Sequence, residues 1–211
     1  VCPSCAKKRQ VVFSQFLAEE VLEPVPHRQV VLTVPKRIRP FFFSKRKRLS
    51  WLARAAYLTV RKALRKACAR PDGQPGAVAA IQTFGSLLDA HPHLHLLVSW
   101  GVFSADGRFH EPTLGSEVSG EKLQLAFRER VFDFLLEDQA IDLDVVENMR
   151  SWPHSGFGTF VGPTVEVRED REGRPVVPEA LLSYFVRAPV ALTRVRLTPE
   201  GKVRYEADRF H

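Results

Sequence analysis

Hydrophobic positions along the chain follow two periods, and each predicts one type of element. Apolar residues that recur every three or four positions predict amphipathic helices over 11–22, 50–69 and 120–139. Segments rich in β-branched residues predict strands over 29–34, 77–84 and 93–103, the last of which we expect to begin after Pro92. The other predicted elements are a strand over 164–168, a short helix over 178–187 and a hairpin of 190–197 with 202–205. The stretch 36–48 and the rest of 140–175 are expected to be irregular. This order predicts an α+β fold with a central, largely antiparallel sheet and flanking helices.

Composition supports a folded domain and excludes several classes of protein. The chain has 211 residues, 45% hydrophobic and 26% charged, which suits one medium-sized domain with its own core and not a disordered tail. No window approaches 18 uncharged apolar residues, so we expect no membrane-spanning helix. Three cysteines are too few for a disulfide scaffold, and we expect a reducing compartment. Because the first residue is Val1, we expect the chain to derive from a longer one.

Positive charge is concentrated in one quarter of the chain. The net charge is +7, and residues 24–71 hold 14 Lys and Arg without a single acidic residue, whereas residues 72–211 hold 14 basic and 21 acidic residues. This pattern favours contact with a nucleic acid over the alternative, a solvated basic face. The predicted contact residues are Lys36, Arg37, Lys45, Arg46, Lys47, Arg48, Arg54, Arg61 and Arg65. Phe41, Phe42 and Phe43, in the middle of this region, are expected either to stack on bases or to lie in the core.

Three histidines at alternate positions are the most distinctive local feature. In a strand that covers 93–98, His93 and His95 share one face while Leu94 and Leu96 enter the core on the other. Two imidazoles at this spacing form half of a site for a divalent metal. His91 either extends the cluster or caps the preceding loop. Exposed histidines without a ligand are the alternative for all three.

Tyr184 is the second candidate, because a tyrosine can attack phosphorus when a metal polarises the phosphate beside it. Arg187 lies one helical turn further along the chain and could neutralise that phosphate. A half-buried tyrosine on a helix is the alternative that the residues alone favour.

The histidine motif resembles the histidine-hydrophobic-histidine signature of the "HUH" single-strand endonucleases. Its surroundings resemble one branch of them, the rolling-circle transposases of the insertion-sequence-91 type. The likeness extends over nearly the whole chain. Its blocks, in order, are Cys2–Ala6 with Lys8 and Arg9, Val25–Pro35, Ile81–Ser86, His91–Val98, His154–Phe157 and Tyr184–Leu192.

The resemblance implies a fold, a reaction and a set of partners. Members have an RRM-like core and nick single-stranded DNA, here the ends of a transposon, through a 5′-phosphotyrosine intermediate in DNA transposition. By motif, His93 and His95 would hold Mg²⁺ or Mn²⁺, Tyr184 would be the nucleophile, and His91 or its rival Gln82 would be the third ligand. His154 is a weaker candidate for contact near the site. The expected location is the bacterial cytoplasm, with nucleoid association and no membrane.

The chain departs from the family pattern in three ways. Ala180 and Ala188 stand four residues either side of Tyr184, where a second tyrosine would lie, so the chain resembles the single-tyrosine branch. Only Cys2 and Cys5 remain of a four-ligand zinc motif, and we expect no zinc to bind there. Cys68 is expected in the core. Residues 1–25 are therefore interpreted as a remnant of the N-terminal zinc-binding region and 26–211 as a nuclease domain truncated at its C-terminus.

Two further hypotheses remain beside an active transposase. One is a DNA-binding transposase remnant that no longer cuts, which predicts salt-dependent binding without nicking. The other is an unrelated metal hydrolase that uses the His-x-His pair, which would need neither the basic region nor the tyrosine.

Overall fold

The computed structural model describes residues 3–85, 89–169, 171, 175–176 and 194–206, and a four-stranded sheet lies at its centre. Its strands run in the order β2-β3-β1-β6, and every neighbouring pair is antiparallel. The strands are β1 (Pro26–Thr33), β2 (Ala77–Phe84), β3 (Ala90–Ser99), β4 (Val102–Phe103), β5 (Phe109–His110), β6 (Gly158–Glu166), β7 (Arg168–Glu169), β8 (Pro175–Val176), β9 (Val195–Leu197) and β10 (Val203–Tyr205). The predicted α+β class with a central antiparallel sheet is confirmed.

Helices precede the sheet and connect its strands. They are α1 (Pro3–Phe16), α2 (Arg39–Ser44), α3 (Lys47–Ala67), α4 (Gly120–Glu137) and α5 (Leu143–Arg150), with a π-helical turn over Leu17–Val21 and 3-10 turns over Lys36–Ile38 and Gly115–Val118. The side chain of Ser119 caps α4 by accepting a hydrogen bond from the backbone N–H of Lys122 at 3.3 Å.

The helices α3 and α4 cover one face of the sheet and form the main core with it. Leu94 and Leu96 of β3 are fully buried there against Leu52 and Val60 of α3 and Phe127 of α4. These positions alternate with the histidines along β3, as the period of a strand requires. The apolar side predicted for the histidine strand therefore faces the main core.

The opposite face carries the histidines, and we call it the histidine face. Part of it is covered by the N-terminal segment, because Leu17 and Leu22 pack against Leu97 of β3 to form a second, smaller core. Residues 3–25 thus form a folded segment that packs on the histidine face, and the origin of 1–25 as a remnant of a zinc-binding region stays a prediction.

Two predicted boundaries were wrong at the histidine strand. It begins at Ala90, before Pro92, because the register against β2 shifts between Gln82 and Phe84. The shift places Pro92 in an irregular part of the ladder, where its missing N–H removes no strand pairing. The strand also ends at Ser99, and Val102–Phe103 forms the separate strand β4, which pairs with β5. A Cβ on Gly101 would lie 2.4 Å from the carbonyl oxygen of His110, so this close approach requires glycine.

Two segments predicted to be irregular are ordered. The basic stretch over 36–48 forms a 3-10 turn, α2 and the start of α3, with Pro40 in the first turn of α2. The stretch over 140–175 contains α5 and β6, and β6 extends well beyond the predicted strand over 164–168.

The hairpin near the C-terminus is confirmed for β9 and β10. The helix predicted over 178–187 lies outside the described residues. Within the described residues, no helix has both the length and the apolar character needed to cross a bilayer.

Candidate active site on the histidine face

His91, His93 and His95 form a row along β3 on the histidine face. The ring centroids of His91 and His93 are 5.1 Å apart, and those of His93 and His95 are 5.0 Å apart. Strand periodicity explains the row from His93 to His95, and the irregularity at Pro92 keeps His91 beside it. The structure therefore brings the three predicted histidines together on one surface.

A line of side chains crosses the whole sheet at His93. Antiparallel pairing places His93 opposite Gln82 of β2 on one side and Thr33 of β1 on the other, and Thr33 is opposite Gly158 of β6. Directly opposite residues share a face, so Gln82, the alternative third ligand, lies beside His93. A Cβ on Gly158 would lie only 2.7 Å from Oγ1 of Thr33. Because glycine has no side chain, no group projects from the face at this position.

Hydrogen bonds fix the orientation of two of the three rings. The Nδ1 atom of His93 lies 2.8 Å from the backbone carbonyl of His91, so Nδ1 donates and Nε2 is the free lone pair. The Nδ1 atom of His95 lies 3.1 Å from the amide nitrogen of Gln29. The buried Nε2 atom of His91 makes no hydrogen bond within the described part of the chain. A buried nitrogen without a partner requires an explanation, and a bound water or ion is one such explanation.

Burial keeps two of the rings neutral. Burial, assisted by the positive charge of Arg39, lowers the pKa of His91 to about 4. Burial likewise lowers the pKa of His95 to about 4, with a second contribution from His93. At neutral pH both imidazoles are therefore uncharged, which is the state that binds a cation.

The histidine row fits a divalent cation only in part. In the ranges that the structure describes, no group of three or more His, Cys, Asp and Glu side chains is arranged to hold a metal ion. The face thus offers two or three imidazole nitrogens in line, with the amide of Gln82 next to His93. A cation held here would need further oxygen ligands, which Mg²⁺ and Mn²⁺ prefer and which a phosphate supplies.

Arg39 lies at the same end of the sheet and was missing from the predicted contact residues. Its Nε donates to the backbone carbonyl of Val34 at 3.1 Å, and Nη1 donates to Oδ2 of Asp89 at 3.3 Å. The Asp89 carboxylate lies next to His91, since both side chains border the same point beside Gly85. A Cβ atom at that point would be 2.2 Å from Oδ1 of Asp89 and 3.2 Å from Nδ1 of His91. A charged pair therefore borders the first histidine of the row.

The predicted basic contact residues lie in three places. Lys36 and Arg37 are exposed just after β1, at the His91 end of the sheet, and the charge of Lys36 contributes to the lowered pKa of His91. Arg54, Arg61 and Arg65 lie on α3, the helix that packs on the other face of the sheet. The first group borders the histidine row, whereas the second does not. Between them lie Lys45, Arg46 and Lys47, all exposed.

Arg48 and Arg65 make hydrogen bonds to other parts of the protein. Arg48 is buried, donates from Nε to Oδ2 of Asp138 at 2.7 Å, and donates from Nη1 to the carbonyl of Phe41 at 2.9 Å and to Oγ of Ser44 at 2.8 Å. Arg65 donates from Nε to the carbonyl of Gly73 at 2.6 Å. We therefore remove Arg48 from the contact set, because its guanidinium is enclosed and committed to protein acceptors.

Aromatic side chains separate into core and surface positions. Phe42 is buried, Phe41 packs against the core, and only Phe43 of the three adjacent phenylalanines is exposed. Phe160 of β6 is more exposed, at 57%, and pairs with Val31, which pairs in turn with His95. Phe160 is thus an aromatic on the histidine face that the sequence analysis did not identify.

Several predicted residues fall outside the described ranges. These are Tyr184, Arg187 and Cys2, so their roles stay predictions. Cys5 is exposed on α1, and Cys68 is buried, as expected for a core residue. His154 is exposed in the segment before β6.

Gln29, Arg39 and Phe160 reach the site only through tertiary structure. Gln29 is 66 positions from His95, and Arg39 is 50 positions from Asp89. No local motif marks them, although Arg39 belongs to the acid-free basic stretch and could have been included on that ground.

Comparison with known proteins places this site in context. Residues 76–211, which include β2, β3, the three histidines and Tyr184, match a family model described as "Putative transposase". The transposase for insertion sequence element IS801 of Pseudomonas savastanoi pv. phaseolicola is 32% identical over 120 residues, which is 54% of this chain and 28% of that protein. The chain thus matches less than a third of the length of this curated relative. No solved structure matches the chain. Because the family model covers well over half of the sequence, the resemblance to transposases is confirmed, and the chain belongs to the family described as "Putative transposase".

Proposed function

We propose that this chain is the nuclease part of a transposase that nicks and transfers single-stranded DNA through Tyr184. The observation that carries the proposal is the row of three histidines on a central strand, two with buried Nε2 atoms, in a member of a transposase family. The proposed location, the nucleoid of a bacterial cytoplasm, follows from that activity.

In the proposed reaction, the tyrosine exchanges one phosphodiester for another. The phenolic oxygen of Tyr184 attacks the phosphorus, a bond between them forms, and the bond from phosphorus to the 3′ oxygen breaks. The 5′ end is then linked to the tyrosine, and the proton of the phenol ends on the released 3′-OH. The energy of the broken bond is kept in the phosphotyrosine, so that a later 3′-OH can reverse the step and join a new strand.

His93 and His95 would hold the divalent cation, with His91 or Gln82 as third ligand. When bound, the cation would polarise the phosphate and stabilise charge on its oxygens. The protein prepares the ligands in advance, because burial keeps His91 and His95 neutral and the carbonyl of His91 orients the ring of His93. The amide of Gln29 sets the tautomer of His95: with its nitrogen towards Nδ1 it donates and the ring proton is on Nε2, whereas the flipped amide would accept from Nδ1–H and leave the Nε2 lone pair for the cation.

Single-stranded DNA is proposed to lie across the histidine face. Lys36 and Arg37 provide positive charge at one end, and Phe160 offers an exposed ring to an unpaired base. Arg54 and Arg61 on α3 are proposed to contact DNA that continues beyond the sheet, since they lie on the side away from the histidines.

The decisive experiment is incubation with labelled single-stranded oligonucleotides and Mn²⁺, followed by a denaturing gel. We expect a protein–DNA adduct that disappears with EDTA and in Tyr184→Phe but persists in the matched control Tyr205→Phe. His93→Ala and His95→Ala should lose the adduct and retain binding. An adduct that survives in Tyr184→Phe would disprove the choice of nucleophile.

One observation favours a second candidate function, a DNA-binding protein that does not cut. The described residues do not supply a closed set of three metal ligands from His, Cys, Asp and Glu. This candidate predicts salt-sensitive binding to single strands without an adduct at any Mn²⁺ concentration. The unrelated metal hydrolase loses its basis, because the chain belongs to a transposase family.

A further inference from the structure

Arg39 is held in a fixed position beside the histidine row. Its side chain is only 14% exposed, and Nε is anchored on the carbonyl of Val34, the residue that follows β1. A guanidinium carries five N–H donors, and the hydrogen bonds to Val34 and Asp89 use two of them. Within the described residues, no hydrogen bond uses the remaining donors, and the orientation of the planar group is already set.

Asp89 is a partner that can be replaced. Its side chain is 43% exposed, and its 3.3 Å contact with Arg39 is long for a charged pair. It is also the only acidic residue between Asp72 and Asp106. With Lys36 and Arg37 in the turn just before Arg39, positive charge exceeds negative charge at this end of the sheet.

The pair is close to the row that would hold the scissile phosphate. Asp89 and His91 both lie against the open side of Gly85, where even a methyl group would collide with the carboxylate. The charges of Arg39, Asp89 and Lys36 all act on the imidazole of His91. An anion bound by Arg39 would therefore lie next to His91.

We propose that Arg39, assisted by Lys36, binds a DNA phosphate beside His91, and that this phosphate displaces Asp89 from the guanidinium. The planar fork of an arginine matches the oxygens of a phosphate better than the single contact it makes with Asp89. While no DNA is bound, the carboxylate of Asp89 pairs with the guanidinium of Arg39. It therefore competes with a phosphate and lowers the affinity for DNA. The inference rests on the proposed function, since it assumes that DNA lies on the histidine face.

The test measures binding without metal and without cleavage. All variants carry Tyr184→Phe, the buffer contains EDTA, and the dissociation constant for a labelled single-stranded oligonucleotide is measured by anisotropy over a range of salt concentrations. Arg39→Gln should weaken binding about tenfold and reduce the slope of log K against log salt by about 0.7, the value for one phosphate contact in a single strand. Arg39→Lys should recover the slope but not the full affinity, because the charge returns without the fork.

The second variant, Asp89→Asn, should change the affinity for DNA in the opposite direction. It should tighten binding several-fold in the parent protein and have no effect in Arg39→Gln, since the carboxylate competes only for that guanidinium. Asp106→Asn, an exposed aspartate on another turn, is the control for a general change of charge. An equal gain from Asp89→Asn with and without Arg39 would overturn the proposal, as would an unchanged salt slope in Arg39→Gln.

Folding and function are checked separately. Thermal unfolding of each variant shows whether Arg39→Gln weakens binding by destabilising the domain, and in that case the gain in Asp89→Asn over Asp106→Asn still decides. If no variant with Tyr184 intact forms an adduct with Mn²⁺ but the Arg39 and Asp89 effects on binding appear, the proposed cleavage fails and the phosphate site stands. If the adduct forms and these effects are absent, the phosphate site fails alone.

Discussion

The structure predicts that Arg48 stabilises the fold and does not bind DNA, although it lies among exposed basic residues. Only 6% of its side chain is exposed, and it joins three parts of the chain: the carbonyl of Phe41, the hydroxyl of Ser44 and the carboxylate of Asp138 at the end of α4. Arg48→Ala removes all of these contacts at once. Arg46→Ala, two positions away, removes an exposed side chain of the same charge and serves as the matched control.

The expected loss follows from the hydrogen bonds. A hydrogen bond from a charged donor contributes about 1.5 to 3 kcal/mol to stability, and Arg48 makes one to Phe41 and one to Ser44. Because Ser44 is exposed and water can replace its partner, we take the low end and expect a loss of about 3 kcal/mol. The ion pair with Asp138 is left out of this figure, so about 3 kcal/mol is a lower bound; Asp138 itself keeps Lys45 at 3.3 Å and is not left unpaired. For a domain of this size the loss lowers Tm by about 6 to 12 °C.

Urea unfolding followed by circular dichroism measures the loss, and anisotropy with single-stranded DNA measures binding in the same variants. Arg48→Ala should lose stability while the folded fraction keeps its DNA affinity. Arg46→Ala should change stability by less than about 0.5 kcal/mol and weaken binding. If Arg48→Ala unfolds like the parent protein and loses as much DNA affinity as Arg46→Ala, the structural role of Arg48 is refuted.

Three other predictions concern the histidine face and the helix behind it. The pKa values of His91 and His95 are about 4 in the folded protein against an ordinary value of 6.5, so the unfolded chain binds more protons between these values and stability should fall as pH decreases from 6.5 towards 4. Denaturation at pH 6.5 and 5.5 tests this, and a His91→Gln, His95→Gln protein that keeps the full dependence would contradict it. Phe160→Ala should weaken binding to single-stranded DNA about tenfold, whereas Phe160→Trp should preserve it, as anisotropy would show. Arg54→Gln with Arg61→Gln should weaken binding and leave the rate of adduct formation at saturating DNA unchanged; a slower rate at saturation would place α3 in the reaction.

The parts of the fold that could be predicted are those in which local pattern and tertiary environment agree. Segment 77–84 was predicted to the residue, because it is flanked by Pro75-Gly76 and Gly85 and its β-branched and small residues suit an edge strand. The irregular assignment of 36–48 failed because most of its polar residues are charged, and charged residues suit a solvent-exposed helical turn as well as a loop.

The part of β6 before Thr164 was not predicted, and the physical reason is different. Its sequence from Gly158 to Glu166 contains two glycines and a proline, which are depleted in strands, and it forms an edge of the sheet. The sequence of an edge strand is less restricted than that of a central one, because only one side needs backbone partners. Pairing with β1 stabilises β6, and this pairing joins residues more than 120 positions apart, which no local window contains.

At the site, the histidines on one strand could be predicted, and so could Gln82 on the neighbouring strand, whereas three other residues from separate elements could not. His91, His93 and His95 were identified because a strand converts sequence spacing directly into spatial spacing. Their partners Gln29, Arg39 and Phe160 depend on register across three strands and on the path of the chain after β1. Arg48 shows the converse error, because charge alone does not distinguish a buried arginine from one that meets solvent.

The strand β3 divides its residues by position, with histidines on one face and Leu94 and Leu96 on the other. A point substitution at a histidine therefore leaves the core intact, whereas the loss or gain of one residue within the strand would exchange the two faces and destroy both. If the histidines act as proposed, catalysis is therefore easier to lose by mutation than the fold. Under the same proposal, copies that have lost activity would remain folded and would compete with active copies for DNA.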